Sequence, residues 1–476
     1  MRRLLVLLPP EVPPDRPALI EADGARIDHG TLRAAIDRAM RDLPAGSKAL
    51  VLVRPRPVAA SVVAILAVLA AGHALMLLDP GLPEDRFAGF LDRVRPSLVL
   101  DDGPLPPPWT PAAPVAGLAA WTPGGGNATA APHPDLALVL PTSGTTGDPR
   151  LVRLSGAALA ANVEAVVAAT GIRPDDLAAA HLPLAYAFGL SVVLTHLAAG
   201  AAVLLPGDGM PAPGFWAALR AASATTLPGV PFHVETLARL GGPDRLDLPA
   251  LRTVLQAGGR AAPAALARLH AAMDARGGRL LVMYGQTEAG PRMAVLPHAA
   301  FPDRPGSVGW ALPGGRFAIV GPDGAPLPPG TAGDIVYEGP NVMMGHAERA
   351  ADLARGDAAG GRLATGDLGV LDDAGALTLT GRAGRFAKVA GLRIALDRVE
   401  EMAAAVAPAL AAERDGRLLV AVEGDAAAAA AVRALLATAL SLSPAVVETR
   451  AVAALPRLAS GKPDRRALLT GRDGWT

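Results

Sequence analysis

The stretch PTSGTTGDPR, Pro141 to Arg150, follows a short apolar run, Leu136 to Leu140. Its glycines let backbone N–H groups close around a polyphosphate, and its hydroxyl side chains add further donors. The spacing differs from G-x-x-x-x-G-K-[ST], and the lysine that a nucleotide-binding P-loop requires is missing. An ordinary Ser/Thr/Gly turn between a strand and a helix has the same composition. The function of this phosphate loop therefore depends on the rest of the chain.

The composition describes a large protein without a charge bias. The chain has 476 residues, which suggests about three domains of roughly 150 residues, or one large and one small domain. Hydrophobic residues make up 51%, and 44 basic residues balance 44 acidic ones. This balance gives no indication of a nucleic-acid partner. The chain contains no cysteine, which excludes disulfides and cysteine-ligated metals and fits a reducing compartment, so we expect a cytoplasmic protein.

Lysine is rare in this chain. Among the 44 lysines and arginines, only Lys48, Lys388 and Lys462 are lysine. A chain that replaces lysine by arginine wherever either serves would keep a lysine where the chemistry needs a compact point charge in a crowded site. Chance survival is the simpler explanation of each lysine taken alone.

Two apolar segments imitate membrane-directed sequences. The start MRRLLVLLPP resembles a signal peptide, but its apolar core of about five residues is shorter than the roughly 7–15 required. The uncharged stretch Val58–Leu78 has the length of a membrane span. Its alanine richness, the interior Gly72-His73 pair and the break DPGLP after it favour a buried helix that runs into a buried strand. We therefore expect no membrane span.

Residues 1–130 alternate helical and short apolar patterns, which is typical of an α/β protein. TLRAAIDRAMRDL predicts a helix, and ALVLV and SLVLDD predict buried strands. Residues 104–134 are rich in proline, glycine and alanine and predict a loop or linker. Helix and strand patterns then continue to about residue 305.

The last part of the chain has a different pattern. After about residue 305, strands broken by Gly-Asp-Pro turns predict an antiparallel β unit. LGVLDDAGALTLTGR predicts a hairpin that turns at Asp372 to Gly375. A second α/β unit begins near Arg382, and its first helix is predicted to start with a capping box of Asp397 and Glu400. GDAAAAAAVRALLATAL predicts a later helix.

Together these patterns predict an α/β fold of two domains. The large N-terminal domain, residues 1–381, would combine several α/β subdomains with the antiparallel β unit. The small C-terminal domain, residues 382–476, would be α+β. No internal repeat is visible in the sequence.

The segment MYGQTEAG, Met283 to Gly290, follows the apolar RLLVM, a predicted strand. It would therefore lie at the carboxyl end of a strand, where open α/β sheets bind ligands. Tyr284 offers a flat face for a base, Thr287 offers a hydroxyl, and Glu288 offers a hard carboxylate for Mg²⁺. An exposed loop glutamate would be the default interpretation of Glu288 alone.

Two further segments carry candidate residues. ATGDLG contains Asp367, and the hairpin would bring this carboxylate beside Arg382, where the pair could hold a ribose diol. A surface ion pair is the alternative. RLASGKPDRRAL, Arg457 to Leu468, places Lys462 in a Ser-Gly turn near the C-terminus. A solvated tail is the alternative there.

The ordered set of these motifs resembles the adenylate-forming superfamily, which includes acyl- and aryl-CoA synthetases, firefly luciferase and the adenylation domains of nonribosomal peptide synthetases. Each motif is moderate alone, but the ordered set is specific and covers nearly the whole chain. The motifs are PTSGTTGDPR, LQAGGR (Leu255 to Arg260), YGQTE, GSVG (Gly306 to Gly309), TGDLG, GRAGRFAKVAGLRI (Gly381 to Ile394) and ASGKPDRRAL.

The resemblance implies a two-domain enzyme with an N-terminal AMP-binding domain and a small mobile C-terminal domain. Such an enzyme uses ATP and Mg²⁺ to activate a carboxylic acid as acyl-AMP and releases pyrophosphate. A carboxylate that attacks an α-phosphate meets like charge, and an ammonium between the two stabilises the transition state. By similarity that ammonium belongs to Lys462, so the lysine missing from the phosphate loop would come from the other domain.

The resemblance also implies which residues bind the nucleotide and the metal. They are Thr142, Ser143, Gly144, Thr145, Thr146 and Gly147 of the phosphate loop with Arg150 as a loop cation; Gly258, Gly259, Tyr284 and Gly285 around the adenine; Thr287 and Glu288 at the phosphates and Mg²⁺; Asp367 and Arg382 at the ribose; and Lys462 at the α-phosphate.

In the second half-reaction the resemblance implies that the C-terminal domain rotates and brings in the segment 386–393 with Lys388. Gly384 stands at the hinge, where Asp or Lys is usual, and Arg385 stands at an often acidic position. The expected acceptor is a thiol, with CoA as the first choice. A carrier protein or an amine is the alternative, and a catalytically inactive nucleotide-binding partner is an alternative of another class.

The acid pocket is implied by the same resemblance. Its predicted lining comprises Tyr186, Phe188, Gly189, Val230, His233, Ala257 and Gly290. Amino-acid-activating members place an aspartate in the first lining segment, here His181 to Ser191. No aspartate occurs between His181 and Gly207. We therefore expect an aliphatic or aromatic acid without an α-amine. His181, His196 and His233 could contact it, although a lone histidine more often packs in the core.

Overall fold

The structure is a computed structural model, and it describes residues 7–124, 131–142, 150–210, 212–382, 385–389, 392–414, 416–440, 442–458, 463–464 and 467. The chain divides into two compact units. The first unit comprises Met1–Arg316 and Tyr337–Leu363, and the second comprises Phe317–Val336 and Ala364–Thr476. The predicted domain boundary after residue 381 differs from this division. That residues 1–381 and 382–476 are separate domains stays a prediction.

Helices and strands alternate in the first unit, as the sequence predicts. Up to the phosphate loop they are β1 (Pro17–Ile20), β2 (Arg26–Asp28), α1 (His29–Asp42), β3 (Leu50–Val53), α2 (Ala59–Ala70), β4 (Ala74–Leu77), α3 (Glu84–Val94), β5 (Leu98–Leu100), β6 (Trp109–Val115), β7 (Leu118–Pro123) and β8 (Leu136–Pro141). After it follow β9 (Leu151–Ser155), α4 (Gly156–Thr170), β10 (Leu177–Ala179), α5 (Ala187–Ala198), β11 (Ala202–Leu204), α6 (Pro213–Ala222), β12 (Thr226–Gly229), α7 (Pro231–Arg239), α8 (Gly242–Arg245), β13 (Thr253–Gln256), α9 (Pro263–Asp274), β14 (Arg279–Tyr284), β15 (Ala294–Leu296) and β16 (Ser307–Ala311).

The remaining elements are shorter and richer in strands. They are β17 (Arg316–Val320), β18 (Gly333–Glu338), β19 (Gly345–Ala347), β20 (Arg362–Leu371), β21 (Leu377–Arg382), β22 (Phe386–Val389), β23 (Leu392–Ala395), α10 (Leu396–Ala403), β24 (Ala409–Arg414), β25 (Arg417–Glu423), α11 (Ala426–Ala439) and β26 (Val447–Val452). The fold class is α/β, as predicted.

The apolar stretch Val58–Leu78 forms a buried helix followed by a buried strand, which confirms the prediction. Helix α2 has 12 residues, and every residue of β4 is buried. Among the helices of the described residues, none is long and apolar enough to cross a bilayer.

The central strands of the first unit form a largely parallel layer. Their order is β16-β15-β14-β13-β12-β10-β11-β1-β2, and β1, β11, β10, β12, β13 and β14 pair in parallel. Alternate residues of one strand face opposite sides, because side chains alternate across a strand. Leu280 of β14 packs in the core with Leu219 of α6, whereas Leu281 packs in the core with Phe188 of α5. Helices thus cover both faces of this layer.

A second, 8-stranded sheet of the first unit has the order β19-β9-β8-β4-β3-β5-β7-β6. Here the expectation of a loop or linker over residues 104–134 was wrong, because β6 and β7 form a hairpin at the edge of the sheet. Pro111 and Pro114 are tolerated because an edge strand has no ladder bond to lose on its outer side. Ala116 (φ 54°) and Gly117 (φ 84°) make the turn. The prolines concealed the strand pattern.

The second unit contains the predicted hairpin and a small α+β body. Strands β20 and β21 pair antiparallel, and the amide of Gly375 closes the turn on the carbonyl of Asp372 at 2.9 Å. Strand β25 pairs antiparallel with β24 and parallel with β26, and α10 and α11 contribute apolar residues to the same core.

The predicted capping box of α10 was wrong. The helix begins at Leu396, so Asp397 lies inside its first turn. Asp397 and Glu400 instead form ion pairs with Arg385, and the Arg385–Glu400 distance is 2.9 Å. The arginine that the sequence places at an often acidic position therefore has two acidic partners. Gly384 lies outside the described residues.

Candidate active site

The phosphate loop connects two antiparallel strands. Pro141 at the end of β8 pairs with Leu151 at the start of β9, and the amide of Thr142 donates to the carbonyl of Arg150 at 2.8 Å. The loop is therefore the tip of a hairpin and not a turn from a strand into a helix. Arg150 is exposed. The predicted phosphate ligands Ser143, Gly144, Thr145, Thr146 and Gly147 lie outside the described residues.

The YGQTEAG segment forms a tight reversal at the carboxyl end of β14. A Cβ atom at Gly285 would lie 1.8 Å from the carbonyl oxygen of Pro291, so only glycine fits where the chain folds back. Thr287, Glu288 and Ala289 form a 3-10 helix. Gly290 ends it with φ at 64°, a left-handed conformation that favours glycine. These two glycines therefore have a backbone reason to be there.

Two buried asparagines hold this reversal in place. The side-chain amide of Asn341 donates to the carbonyl of Ala289 at 2.6 Å, and that of Asn162 donates to the carbonyl of Arg292 at 2.8 Å. Asn341 also accepts from the Tyr337 hydroxyl at 2.9 Å. The turn that carries Glu288 is therefore fixed on both sides by the packed first unit.

Glu288 contacts a residue that sequence reasoning missed. Its Oε1 lies 3.4 Å from Nε2 of His346, and the two side chains are 20% and 30% exposed. His346 lies in β19 directly opposite Val152 of β9, two residues after Arg150. The candidate metal ligand is thus connected through one strand pair to the base of the phosphate loop. We call this region, β9, β19 and the turn 285–290, the phosphate side.

The carboxylate of Glu288 fits a magnesium ligand of the kind the sequence predicts. Mg²⁺ is commonly held by one or two carboxylates together with substrate phosphates and water. Within the described part of the chain, no group of three or more metal-ligating side chains occurs, so Glu288 would have to act with the phosphates. Its partial exposure leaves room for such a ligand.

The predicted adenine residues follow two neighbouring parallel strands. Gly258 and Gly259 come just after β13, and Tyr284 ends β14, with Gln256 paired to Val282. The carboxyl ends of parallel strands meet at one edge, where α/β sheets bind ligands. Tyr284 is 7% exposed, so little of its ring is open to a base in this structure. Its stacking on adenine stays a prediction.

Several predicted acid-pocket residues do meet in the first unit. A Cβ atom at Gly258, where φ is +81°, would lie 2.5 Å from the Tyr186 hydroxyl and 3.1 Å from Cγ1 of Val230. The rings of Tyr186 and Phe188 are edge-on with centroids 6.5 Å apart, and Ala257 belongs to the same buried cluster. Burial raises the pKa of Tyr186, so its hydroxyl stays protonated.

Gly189 and the histidines have structural explanations. A Cβ atom at Gly189 would lie 2.3 Å from the carbonyl oxygen of Pro183, so close packing requires glycine there. His233 Nδ1 accepts from the amide of Val230 at 3.3 Å at the start of α7. His181 stacks edge-on against His233 at 4.9 Å between ring centroids.

His196 is buried and His181 is half-buried, and both are neutral near pH 7. Burial lowers the pKa of each to about 4. His196 Nδ1 lies 2.8 Å from the carbonyl of Val192 within α5. The Nε2 atom of each histidine has no hydrogen-bond partner among the described residues. We call α5, Gly258, Val230 and the neighbouring Arg292 the acid side.

In the second unit, the hairpin brings Asp367 and Arg382 together, as expected. The two residues are directly paired in the β20–β21 register, and Arg382 Nε lies 3.2 Å from Asp367 Oδ1. Gly366 has φ at 71°, which turns the backbone just before the carboxylate. The pair is available to a diol, and its role at the ribose stays a prediction.

Two of the three lysines lie among the described residues. Lys48 donates to the carbonyl of Pro134 at 2.8 Å, so it ties two loops of the first unit together. Lys388 lies in β22 opposite Arg393. Lys462 lies outside the described residues, and its catalytic role stays a prediction.

Comparisons with known proteins found a matching family model, similar chains and similar solved structures. The family model described as AMP-binding enzyme matches residues 10–346. An oxalate–CoA ligase from Arabidopsis thaliana is 35% identical over 256 residues, which are 52% of this chain and 49% of that protein. The chain thus spans about half the length of such curated relatives.

Two solved structures share the fold over almost the whole chain. ATP-bound MatB from Rhodopseudomonas palustris is 24% identical, with a TM-score of 0.79 and 99% of both chains covered. The amide bond synthetase McbA from Marinactinospora thermotolerans is also 24% identical, with a TM-score of 0.76 and 98% of both chains covered. At this identity the likeness concerns the fold alone.

Proposed function

Since the chain belongs to the AMP-binding enzyme family, we propose that it activates a carboxylic acid with ATP as an acyl adenylate and releases pyrophosphate. The acid has no α-amine and is aliphatic or aromatic. The acyl group then passes to an acceptor, for which a thiol, that of CoA, is the first choice. The oxalate–CoA ligase relative supports this choice of acceptor.

One observation carries the proposal. Glu288 contacts His346 at 3.4 Å, and His346 pairs with Val152 immediately after the phosphate loop. A carboxylate suited to Mg²⁺ therefore lies beside the base of a loop suited to phosphates, as a site for MgATP requires. The turn that holds Glu288 is fixed by buried hydrogen bonds, so this arrangement is built into the fold.

The proposed first step is an in-line displacement at the α-phosphorus of ATP. A carboxylate oxygen of the acid forms the new O–P bond, and the bond from the α-phosphorus to the bridging oxygen breaks, so that pyrophosphate leaves with that oxygen. Mg²⁺ would neutralise the phosphate charge. The backbone amides of residues 143–147 would hold the leaving group, and the ammonium of Lys462 would stabilise the charge that develops between the acid and the phosphate.

The remaining nucleotide contacts follow the same proposal. Gly258 and Gly259 would line the adenine slot with Tyr284, and Asp367 and Arg382 would bind the ribose. The close packing at the two glycines and the carboxylate–guanidinium pair suit these roles, whereas the Tyr284 ring would first have to become accessible.

The acceptor has a second candidate. An amine or a carrier-protein thiol is the alternative to CoA. Adding CoA, hydroxylamine or a carrier protein to the adenylating enzyme and identifying the acyl product distinguishes them. Acyl-CoA formation would confirm the first choice.

The experiment that tests the proposed function is ATP–pyrophosphate exchange over a panel of carboxylic acids. Exchange that depends on one acid class and on Mg²⁺ is expected. Tight ATP binding without exchange for any acid would instead indicate a catalytically inactive nucleotide-binding protein.

We also expect Lys462→Ala to abolish exchange but to leave acyl transfer from supplied acyl-AMP intact. In this scheme the lysine acts in the first step only. Equal loss of both steps would contradict a lysine that serves one half-reaction.

A further inference from the structure

Arg292 is a buried cation to which the described residues offer no hydrogen bond. Its side chain has 0% exposure, and none of its three guanidinium nitrogens has a hydrogen-bond partner among the described residues. Burial lowers the pKa of Arg292 to about 9, so the group still carries its charge at neutral pH. Buried charges are normally paired, because an isolated ion in a protein interior is costly.

A second buried arginine of the same unit, Arg153, does have hydrogen-bond partners. Arg153 is 1% exposed, and its guanidinium donates to the carbonyls of Met344 at 2.9 Å and Gly356 at 3.3 Å, and to that of Arg355. Arg292 has no equivalent set within the described residues. The two arginines are thus equally buried but differ in their partners.

The surroundings of Arg292 belong to the acid side. Its Cζ lies 5.2 Å from the centroid of the Phe188 ring, so one face of the guanidinium rests on an aromatic ring. Phe188 is a predicted pocket residue of α5. His196, about two turns further along α5, is close enough for the charge of Arg292 to lower its pKa, although burial is the larger cause.

Further unpartnered atoms lie nearby. The hydroxyl of Ser191 in α5 has no hydrogen-bond partner among the described residues. Ser191 lines a small apolar cavity together with Gly290 and Pro291, the two residues that precede Arg292. His196 Nε2 is also unpartnered within the described part of the chain. A cation and two neutral polar groups on or beside α5 thus have atoms without a hydrogen-bond partner among the described residues, and of the three residues only Ser191 lines the cavity.

We propose that Arg292 binds a second carboxylate of the acid substrate, so that the enzyme activates a dicarboxylic acid at the carboxylate remote from Arg292. This inference rests on the proposed function and specifies its substrate class. A carboxylate can accept two parallel hydrogen bonds from one guanidinium, which would satisfy nitrogens that now have no partner. The surroundings of Arg292 are otherwise apolar. An acid with a methyl group in place of the second carboxylate would therefore leave the guanidinium unpaired and bind weakly.

The test uses matched pairs of acids that differ only in the second carboxylate, such as butyrate with succinate, hexanoate with adipate, and benzoate with terephthalate. ATP–pyrophosphate exchange is measured with the wild type, Arg292→Met and Arg292→Lys. We expect the wild type to prefer the diacid of the best pair by about 100-fold or more in kcat/KM, because a buried polar site rejects an analogue that leaves it unpaired.

Arg292→Met should abolish this preference, because kcat/KM should fall far more for the diacid than for the monoacid. Arg292→Lys should keep part of it. Arg292→Met should also have an unchanged or raised Tm, because a buried charge without a partner is replaced by an apolar side chain of similar length. Equal loss of activity on both acids, or a lowered Tm, would assign Arg292 a structural role and overturn the proposal.

Binding without catalysis separates this inference from the proposed function. The Tm of the wild type and of Arg292→Met is measured with diacid, monoacid or inorganic phosphate and no ATP. A shift with the diacid that Arg292→Met loses supports the anion site even if no exchange occurs. Exchange with monoacids alone would retain the proposed function and overturn the second carboxylate. An equal shift with inorganic phosphate, without a preference for diacids in exchange, would overturn the assignment to substrate.

Discussion

The phosphate side and the acid side of the first unit satisfy their buried polar groups in opposite ways. On the phosphate side, Arg153 donates to three backbone carbonyls, and Glu288 contacts His346. On the acid side, Arg292, Ser191 and His196 have polar atoms without a hydrogen-bond partner in the described residues. The Nε atom of Arg153 has no hydrogen-bond partner among the described residues, but its other two nitrogens do, whereas none of the three nitrogens of Arg292 has one there.

The largest loss of stability should come from a substitution on the phosphate side, where the buried arginine has hydrogen-bond partners. Arg153→Met leaves the carbonyls of Met344, Arg355 and Gly356 without their shared donor, and we expect the free energy of unfolding to fall by about 3 kcal/mol. Urea unfolding of the purified variant measures it. Arg292→Met is the matched control, since it removes an equally buried guanidinium that has no described partner. Equal destabilisation by both substitutions would remove the difference between the two sides.

On the same side, Glu288→Gln should affect activity and not stability. The amide keeps the shape of the side chain but removes the charge that would hold Mg²⁺, so we expect kcat of pyrophosphate exchange to fall about 10²–10³-fold. A higher Mg²⁺ requirement should accompany the loss. Glu164→Gln, at an exposed glutamate of α4, is the control and should have no effect. Full activity of Glu288→Gln would exclude Glu288 as the metal ligand.

The sequence predicts elements better than it predicts these contacts. Val58–Leu78 was correctly expected to form a buried helix and strand, and the hairpin that pairs Asp367 with Arg382 was expected from a local turn. Both patterns lie within a short stretch of chain, where periodicity and turn residues are informative. The proline-rich β6–β7 hairpin was missed, because an edge strand tolerates residues that suggest a loop.

The site contacts depend on residues far apart in the chain. His346 meets Glu288 across 58 positions, and Arg153 meets Met344 across 191. No local pattern marks either partner: His346 is one histidine in a short strand, and Arg292 is one of many arginines. What distinguishes Arg292 is the lack of a partner after folding, which no sequence pattern shows. Its position just after YGQTEAG was the one available signal.

A smaller effect should follow from crowding the acid side. In Gly258→Ala the added methyl group would meet the Tyr186 hydroxyl at 2.5 Å, and the backbone would be strained because φ is +81°. We expect a loss of about 1–3 kcal/mol in stability and a raised KM for the acid. Gly277→Ala has a similar φ of +67° but nothing within 4 Å of the added methyl group, so it measures the strain alone.

Tyr186→Phe provides the second half of that test. It removes the hydroxyl that the new methyl group would meet. The double variant with Gly258→Ala should therefore have a lower KM for the acid than Gly258→Ala alone. If Gly258→Ala and Gly277→Ala lose the same stability and neither changes the KM, Gly258 lies outside the acid pocket.

The smallest effect is the pH dependence that the acid side gives to stability. Burial holds the pKa of His181 and His196 at about 4 in the folded chain, below the value of about 6.5 expected when unfolded. Between these values the unfolded chain binds more protons, so stability is fully present above about pH 6.5 and falls as the pH drops towards 4.

Each histidine should contribute a slope of up to about 1.4 kcal/mol per pH unit. Urea unfolding at pH 7.5, 6 and 5 should show a smaller slope in His196→Phe than in the wild type. His73→Gln, at a histidine whose pKa burial also lowers but which lies outside the acid side, is the comparison. An unchanged slope in His196→Phe would mean that this histidine of the acid side is already solvated, and that the acid side is no drier than the rest of the unit.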